Sequence, residues 1–268
     1  NTVMFLQKYN ITTNMALKIY EIYGGNTIDV VKNNPYRLVE DVDGIGFLTA
    51  DRIAQSIGIP KDSEYRVRAG ILHALNNAVE KTGNTYLPKV MLLSQAEAIL
   101  ELERNEHSEL YDNALQGLTL DKTVIINWKN NVEIVIPSKY YYYENTVAQK
   151  LALLNSTQVI EKQEVDDEIA FFEQKNHIVF HEEQKEAIKN AINSGVSVIT
   201  GGPGTGKTTI IKCIIDIVKQ NKKRFMLLAP TGRASKRMSD STGEEAKTIH
   251  RALEVASGDL ANISRFVY

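Results

Sequence analysis

The spacing of apolar positions changes character along the chain. From Asn14 to Gly25, NMALKIYEIYGG places Ala16, Ile19, Tyr20 and Tyr23 on one helical face, and two glycines close it. FLTADRIAQSIGI, from Phe47 to Ile59, repeats the scheme with Ala50, Ile53, Ala54 and Ile57. Ser63 to Gly83 reads as a longer amphipathic helix, again ended by glycine. The two short units form an imperfect internal repeat, and units that small bury a core only by stacking on each other.

The middle of the chain is mixed. MLLSQAEAILELE reads as a helix, Thr123 to Pro137 as a β-hairpin with an Asn-rich turn, and ENTVAQKLALLN as another helix. KYYYYENT offers four consecutive tyrosines; they suit base stacking, but the expectation is that alternate tyrosines pack where the hairpin meets the next helix. KQEVDDE is acidic and polar and reads as a boundary. Beyond it, His181 to Gly195 is a helix, and VSVITG (Val196 to Gly201) a buried strand. A helix follows, with Ile210, Ile211, Ile214, Ile215 and Val218 on it. RFMLLAP (Arg224 to Pro230) is a second buried strand, followed by a further helical stretch. A βαβ unit of this kind predicts a parallel sheet. The expected division is 1–62, 63–165 and 166–268.

Composition narrows the class. Of the 268 residues, 43% are apolar and 24% charged, as in globular proteins. A single cysteine, Cys213, excludes a disulfide framework and a cysteine zinc site, and fits a reducing cytoplasm. No apolar run approaches the roughly 20 residues of a membrane span, so no membrane partner is expected. Neither a signal peptide nor an initiator Met stands at the start. The net charge is −2, but it is unevenly spread. Residues 203–251 hold 11 Lys/Arg against 4 Asp/Glu, whereas residues 96–182 hold 7 against 16. A polyanion partner is therefore expected at the C-terminal part.

The chemistry concentrates in TGGPGTGKTTI. Gly201, four residues on to Gly206, then Lys207 and Thr208 complete a P-loop pattern between an expected strand and an expected helix. Glycines let the backbone turn its N–H groups toward phosphate oxygens. A helix N-terminus adds its positive end. Lys207 supplies charge for the β- and γ-phosphates, and the Thr208 hydroxyl completes a Mg²⁺ shell. The candidate nucleotide-binding stretch is Gly202, Pro203, Gly204, Thr205, Gly206, Lys207, Thr208 and Thr209, with Lys207 and Thr208 the candidate catalytic pair and Thr208 the metal ligand. ATP and Mg²⁺ are the expected cofactors. His73, His107, His177 and His181 lack metal-ligand spacing.

Two further blocks, APTGRASKRM (Ala229 to Met238) and AKTIHRALE (Ala246 to Glu254), follow the P-loop in order. With GGPGTGKTT they resemble the RecD-like helicases of superfamily 1. The resemblance implies that Thr231, Arg233 and His250 lie along single-stranded DNA. It implies that Gln184, 23 residues before Lys207, reads the adenine edge with an amide that donates and accepts. NPYRLVEDVDGIGFLTADRIAQSIGI (Asn34 to Ile59) resembles the helix-hairpin-helix segment of the stand-alone bacterial members. There Gly44 and Gly46 would offer backbone N–H groups to a DNA phosphate without reading a base. In the earlier unit, Asn10–Ile11–Thr12 departs from the glycine hairpin.

The fold expected from the resemblance is an incomplete α/β P-loop (RecA-like) motor domain. It is preceded by a helical hairpin region and a small mixed α/β connecting domain. The expected partners are single-stranded DNA and single/double-strand junctions, and the expected polarity of the parent is 5′ to 3′. A motor of this family also uses an Asp-Glu pair after an apolar strand. Downstream of Lys207 the acids are Asp216, Asp240, Glu244, Glu245, Glu254 and Asp259, and none follows four or more apolar residues. The expectation is a piece of a helicase that binds ATP and turns it over poorly, with Asp240 or Asp259 as the fallback metal acids. The competing readings are an AAA-type ATPase, which shares GPGTGKTT, and a DNA-binding hairpin module whose P-loop only binds nucleotide.

Overall fold

The computed structural model describes residues 2–9, 11–157 and 164–254. It divides into two compact units, Asn1–Val147 and Ala148–Tyr268.

The first unit is built from the predicted short helices. They are α1 (Thr2–Gln7), α2 (Thr13–Tyr23), α3 (Thr27–Asn33), α4 (Arg37–Asp41), α5 (Phe47–Ser56) and the long α6 (Glu64–Thr82). Their ends follow the sequence. The Thr12 side chain accepts from the Met15 N–H at the start of α2, and Gly24 closes that helix at φ 53°. Gly83 closes α6 in the left-handed conformation. Leu6, Ile19, Val31, Leu38, Phe47 and Ile53 are fully or almost fully buried, and they join Ile71 and Leu75 of α6 in one core. Each such side chain contributes about 1.5–3 kcal/mol when buried. Asn10, central to the first hairpin unit, lies outside the described residues.

Next come β1 (Leu87–Pro88), α7 (Lys89–Leu100) and α8 (Ser108–Leu120). The predicted hairpin is β2 (Val124–Lys129) and β3 (Val132–Pro137), paired antiparallel from Val124↔Pro137 to Lys129↔Val132. Asn130 and Asn131 turn it with φ of 50° and 61°, a conformation that Asn tolerates. β1 adds a short third strand beside β3, which the hydrophobic pattern did not signal. Gly70 of α6 lets α7 come close, because a Cβ there would lie 2.5 Å from Leu100. α9 (Ser138–Thr157) carries the tyrosines. Tyr140 packs on the core, but Tyr142 and Tyr143 are exposed.

The second unit holds α10 (Asp166–Asn176), α11 (Glu182–Asn193), α12 (Lys207–Gln220), β4 (Leu227–Ala229), α13 (Gly232–Thr242), β5 (Ala246–Thr248) and α14 (Ile249–Ala252). Ile188, Ile210, Cys213 and Ile217 meet Ile169 and Phe172 in its core. Cys213 is fully buried, and burial pushes its thiol up to about 12, as befits a packing residue.

Two expectations are corrected here. Val196–Gly201 is not a buried strand: it runs as irregular chain, and Val198 is 83% exposed. A strand needs a ladder of partner groups, and among the described residues none is paired with this segment. The second predicted strand shrinks to Leu227–Ala229. The parallel pair does form, one step further along the chain. β4 and β5 pair in parallel with α13 between them, from Leu227↔Ala246 to Ala229↔Thr248. The unit is therefore mostly helical with a small parallel sheet, an incomplete version of the P-loop architecture.

Candidate nucleotide and nucleic-acid sites

The loop before α12 turns twice through the left-handed region, at Gly204 (φ 78°) and Gly206 (φ 77°). Side chains rarely adopt that conformation, so the glycines are required for the turn. A Cβ on Gly201 would lie 2.7 Å from Thr205 Oγ1. The Thr205 hydroxyl in turn donates to the Gly202 carbonyl at 2.9 Å, which holds the loop curled. Gly206 caps α12, and Ile210 N–H is the first to bond back, to the Gly206 carbonyl at 3.0 Å. The N–H groups of Lys207, Thr208 and Thr209 thus stand at a helix start, without partners in the helix.

Lys207 reaches back over the loop. Its Nζ donates to the Gly201 carbonyl at 2.7 Å and to the Gly202 carbonyl at 2.5 Å. A phosphate would replace these neutral acceptors with charged ones, a stronger contact. Thr208, one residue into α12, is exposed. The loop therefore fits a polyphosphate: glycine backbone, helix start and a lysine converge on it. A metal would rely on Thr208 and on the phosphates themselves. Among the described residues no cluster of three or more His, Cys, Asp or Glu side chains could hold one. Asp216 pairs with Lys175 at 3.3 Å, and Glu244 pairs with Lys219. Asp240 is exposed on α13, and Asp259 lies outside the described residues.

Gln184 sits at the third position of α11 and is drawn to the loop. Its Oε1 accepts from the His181 N–H at 2.9 Å, capping the helix. Its Nε2 donates to the Thr205 carbonyl at 3.0 Å. The sequence marked Gln184 for a base; its contact with Thr205 was not visible there, because it joins residues 21 apart.

The three candidate DNA residues of this unit share one end of the parallel pair. Ala229 and Thr248 are in register, and Thr231 and His250 each stand two residues beyond. Thr231 is also the N-cap of α13, its hydroxyl accepting from Ala234 N–H at 3.2 Å. Arg233 and His250 are exposed.

In the first unit, Gly44 takes φ 95°, and a Cβ there would meet Met15 at 3.3 Å. Gly46 is the N-cap of α5, with nothing within 4 Å of where a Cβ would stand. Ile45 between them is buried and anchors the turn. The N–H groups of Phe47 and Leu48 thus stand at a helix start beside two glycines, without partners in the helix, whereas the Thr49 N–H donates to the Gly46 carbonyl at 3.0 Å. Behind the hairpin, Asp51 receives Arg66 through two bonds, of 2.8 and 3.1 Å, and Tyr36 Oη at 2.6 Å. Arg66 also donates to the Leu100 carbonyl at 2.9 Å, tying the hairpin helix to α6 and α7.

A P-loop cradle and a helix-hairpin-helix on one chain define a nucleotide-binding, nucleic-acid-associated class. The comparisons with known proteins agree with it. Residues 1–86 match the model of the ATP-dependent RecD2 DNA helicase HHH domain, and residues 184–265 match that of an AAA domain. The chain is 27% identical over 253 residues to the ATP-dependent RecD2 DNA helicase of Deinococcus radiodurans, covering 92% of this chain and 35% of that protein. It is 35% identical over 86 residues to the RecBCD enzyme subunit RecD of Mycobacterium tuberculosis, covering 30% of this chain and 15% of the relative. The RecD subunit of Haemophilus influenzae is 44% identical over 61 residues, 22% of this chain and 10% of the relative. The chain is thus similar to RecD-type proteins, with the hairpin match first and the P-loop match after, and it spans about a third of the first of these relatives or less of the others. Among the described residues no helix is long and apolar enough to cross a membrane.

Proposed function

We propose that this chain is the hairpin region, connecting domain and first motor segment of an ATP-dependent DNA helicase. Its divisions would fall near residues 62 and 165. ATP would be held by Gly202 to Thr209, with Lys207 on the terminal phosphates and Thr208 on Mg²⁺. Gln184 would report on the adenine as well as the loop. Single-stranded DNA would run past Thr231, Arg233 and His250, and Gly44 and Gly46 would take a phosphate of a strand or junction. The protein to which the segment belongs would couple hydrolysis to 5′-to-3′ unwinding in the cytoplasm. Polarity rests on the likeness alone.

The observation that carries this reading is the in-register pair Ala229↔Thr248, which brings both DNA blocks to one strand end of the P-loop unit. An AAA-type ATPase shares the loop but gives no reason for that convergence or for the hairpin. The test is anisotropy of a labelled oligo-dT with this chain and with Arg233→Ala across a salt series. Loss of one phosphate contact lowers affinity and reduces the salt slope by about 1. Identical curves for both proteins would place the strand elsewhere.

A further inference from the structure

A cavity of about 790 Å³ lies within the first unit, a size that accommodates a nucleotide. It is lined by Gly46 and Phe47 of the hairpin, Tyr65 and His73 of α6, and Ser138 and Lys139 of α9.

Two features of these walls bear on a ligand. First, Ser138 is 8% exposed, and its Oγ is buried without a hydrogen-bond partner among the described residues. An orphan buried hydroxyl is destabilising. Ser138 is also the first residue of the 20-residue α9; its own N–H donates to the Thr123 carbonyl at 3.0 Å, and the N–H groups that follow it stand at the positive end of the helix without partners in the helix. Lys139 beside it forms no ion pair among the described residues; its Nζ lies 5.0 Å from the Tyr140 ring centre. Second, Tyr36, Phe47 and His73 form a near-parallel ladder, with ring centres 6.0 and 5.1 Å apart. Burial, with Lys81 nearby, holds the His73 pKa below its usual value. Carboxylates stand on the walls as well: Asp121 is paired with Arg68, while Arg37 pairs with Asp41 and Glu40 forms no ion pair among the described residues.

We infer that this cavity takes one nucleotide of a DNA strand whose backbone passes over the Gly44–Gly46 hairpin. The phosphate sits at the start of α9, against Ser138 Oγ and Lys139, and the base lies against His73, the half-buried end of the ring ladder, beside the exposed Tyr65. The inference rests on the hairpin being a phosphate contact, and adds to it a base pocket that the hairpin alone does not provide. Such a pocket favours a strand with an unpaired nucleotide, since a paired base is not free to enter. A free nucleotide has the same chemistry, so the test separates the two sources.

The experiment is photocrosslinking of the whole chain to an oligo-dT carrying 5-iododeoxyuridine, with the attached peptides mapped by mass spectrometry. Crosslinks are expected at Tyr65 or His73. They should fall roughly 5-fold in Ser138→Ala, the loss of one hydrogen bond. The thermal stability of Ser138→Ala should equal or exceed that of the parent, because an orphan hydroxyl is gone. Lys139→Gln, an exposed change, should lower the same crosslinks. Free dTMP at the concentration of the oligonucleotide should leave them in place. Unchanged crosslinks in both variants overturn the proposal. Loss of crosslinks to dTMP at equal concentration also overturns it, in favour of a free-nucleotide site. Crosslinks at the hairpin but none in the cavity remove the pocket and keep the hairpin contact. None in either place removes both.

Discussion

Gln184 is bonded at both ends of its amide: Oε1 to the His181 N–H at 2.9 Å and Nε2 to the Thr205 carbonyl at 3.0 Å. One side chain therefore caps α11 and steadies the phosphate loop. Reading adenine requires the amide to share or exchange one of these bonds. Gln184→Ala is expected to weaken both ATP and GTP by loosening the loop, by roughly 3- to 10-fold for about one hydrogen bond, with the larger loss for ATP. It should also narrow any preference for ATP. A competition titration with both nucleotides checks this. An equal loss for both, with the preference intact, would confine Gln184 to the loop.

The buried Asp51–Arg66 pair makes a separate prediction for the first unit. Burial raises the Asp51 carboxyl, but the Arg66 and Tyr36 hydrogen bonds outweigh it, and its pKa lies below the usual value. A carboxylate depressed on folding contributes stability in full above about pH 4, its unfolded value. That contribution is lost as pH falls through the lower folded value. Asp51→Asn should therefore flatten the decline in melting temperature below pH 4. At pH 7, Arg66→Leu leaves a buried carboxylate unpaired and should cost about 3–5 kcal/mol. A melting series from pH 7 to pH 2 reads both. Parallel curves for parent and Asp51→Asn would remove Asp51 from the acid response.

Much of this was written locally in the sequence. Gly83, Gly24 and the Asn130–Asn131 turn punctuate elements where their backbone preferences demand, and the glycines of the P-loop and hairpin mark backbone turned outward. Contacts between distant residues were not legible. Asp51–Arg66, Gln184–Thr205 and the burial of the Ser138 hydroxyl depend on packing that periodicity does not encode. Val196–Gly201 reads as a strand because its residues suit one, yet a strand is a relation to a neighbour, and none of the described residues supplies it. β1, of two residues, is too short to leave a pattern.

Turnover should be poor in these 268 residues. Phosphoryl transfer depends on positioning and on charge around the transferred group. Asp216 and Glu244 are committed to lysines, and Asp240 stands alone on the surface of α13. ATP hydrolysis by the purified chain, with oligo-dT and Mg²⁺, should stay well below about 1 s⁻¹, the low end of ordinary enzyme rates. A higher rate, abolished by Asp240→Asn, would make Asp240 the metal acid.

The most direct measurement is the affinity of the chain for Mg²⁺·ATP by calorimetry, beside that of Lys207→Ala. Lys207 spans the loop mouth at 2.7 and 2.5 Å from the Gly201 and Gly202 carbonyls, and a terminal phosphate would take those bonds over. A charge-assisted contact of about 1.5–3 kcal/mol corresponds to a loss of roughly tenfold or more in the variant. Binding by the parent with that loss in Lys207→Ala is the expected result. Equal affinities would contradict the assignment of this loop as the nucleotide site.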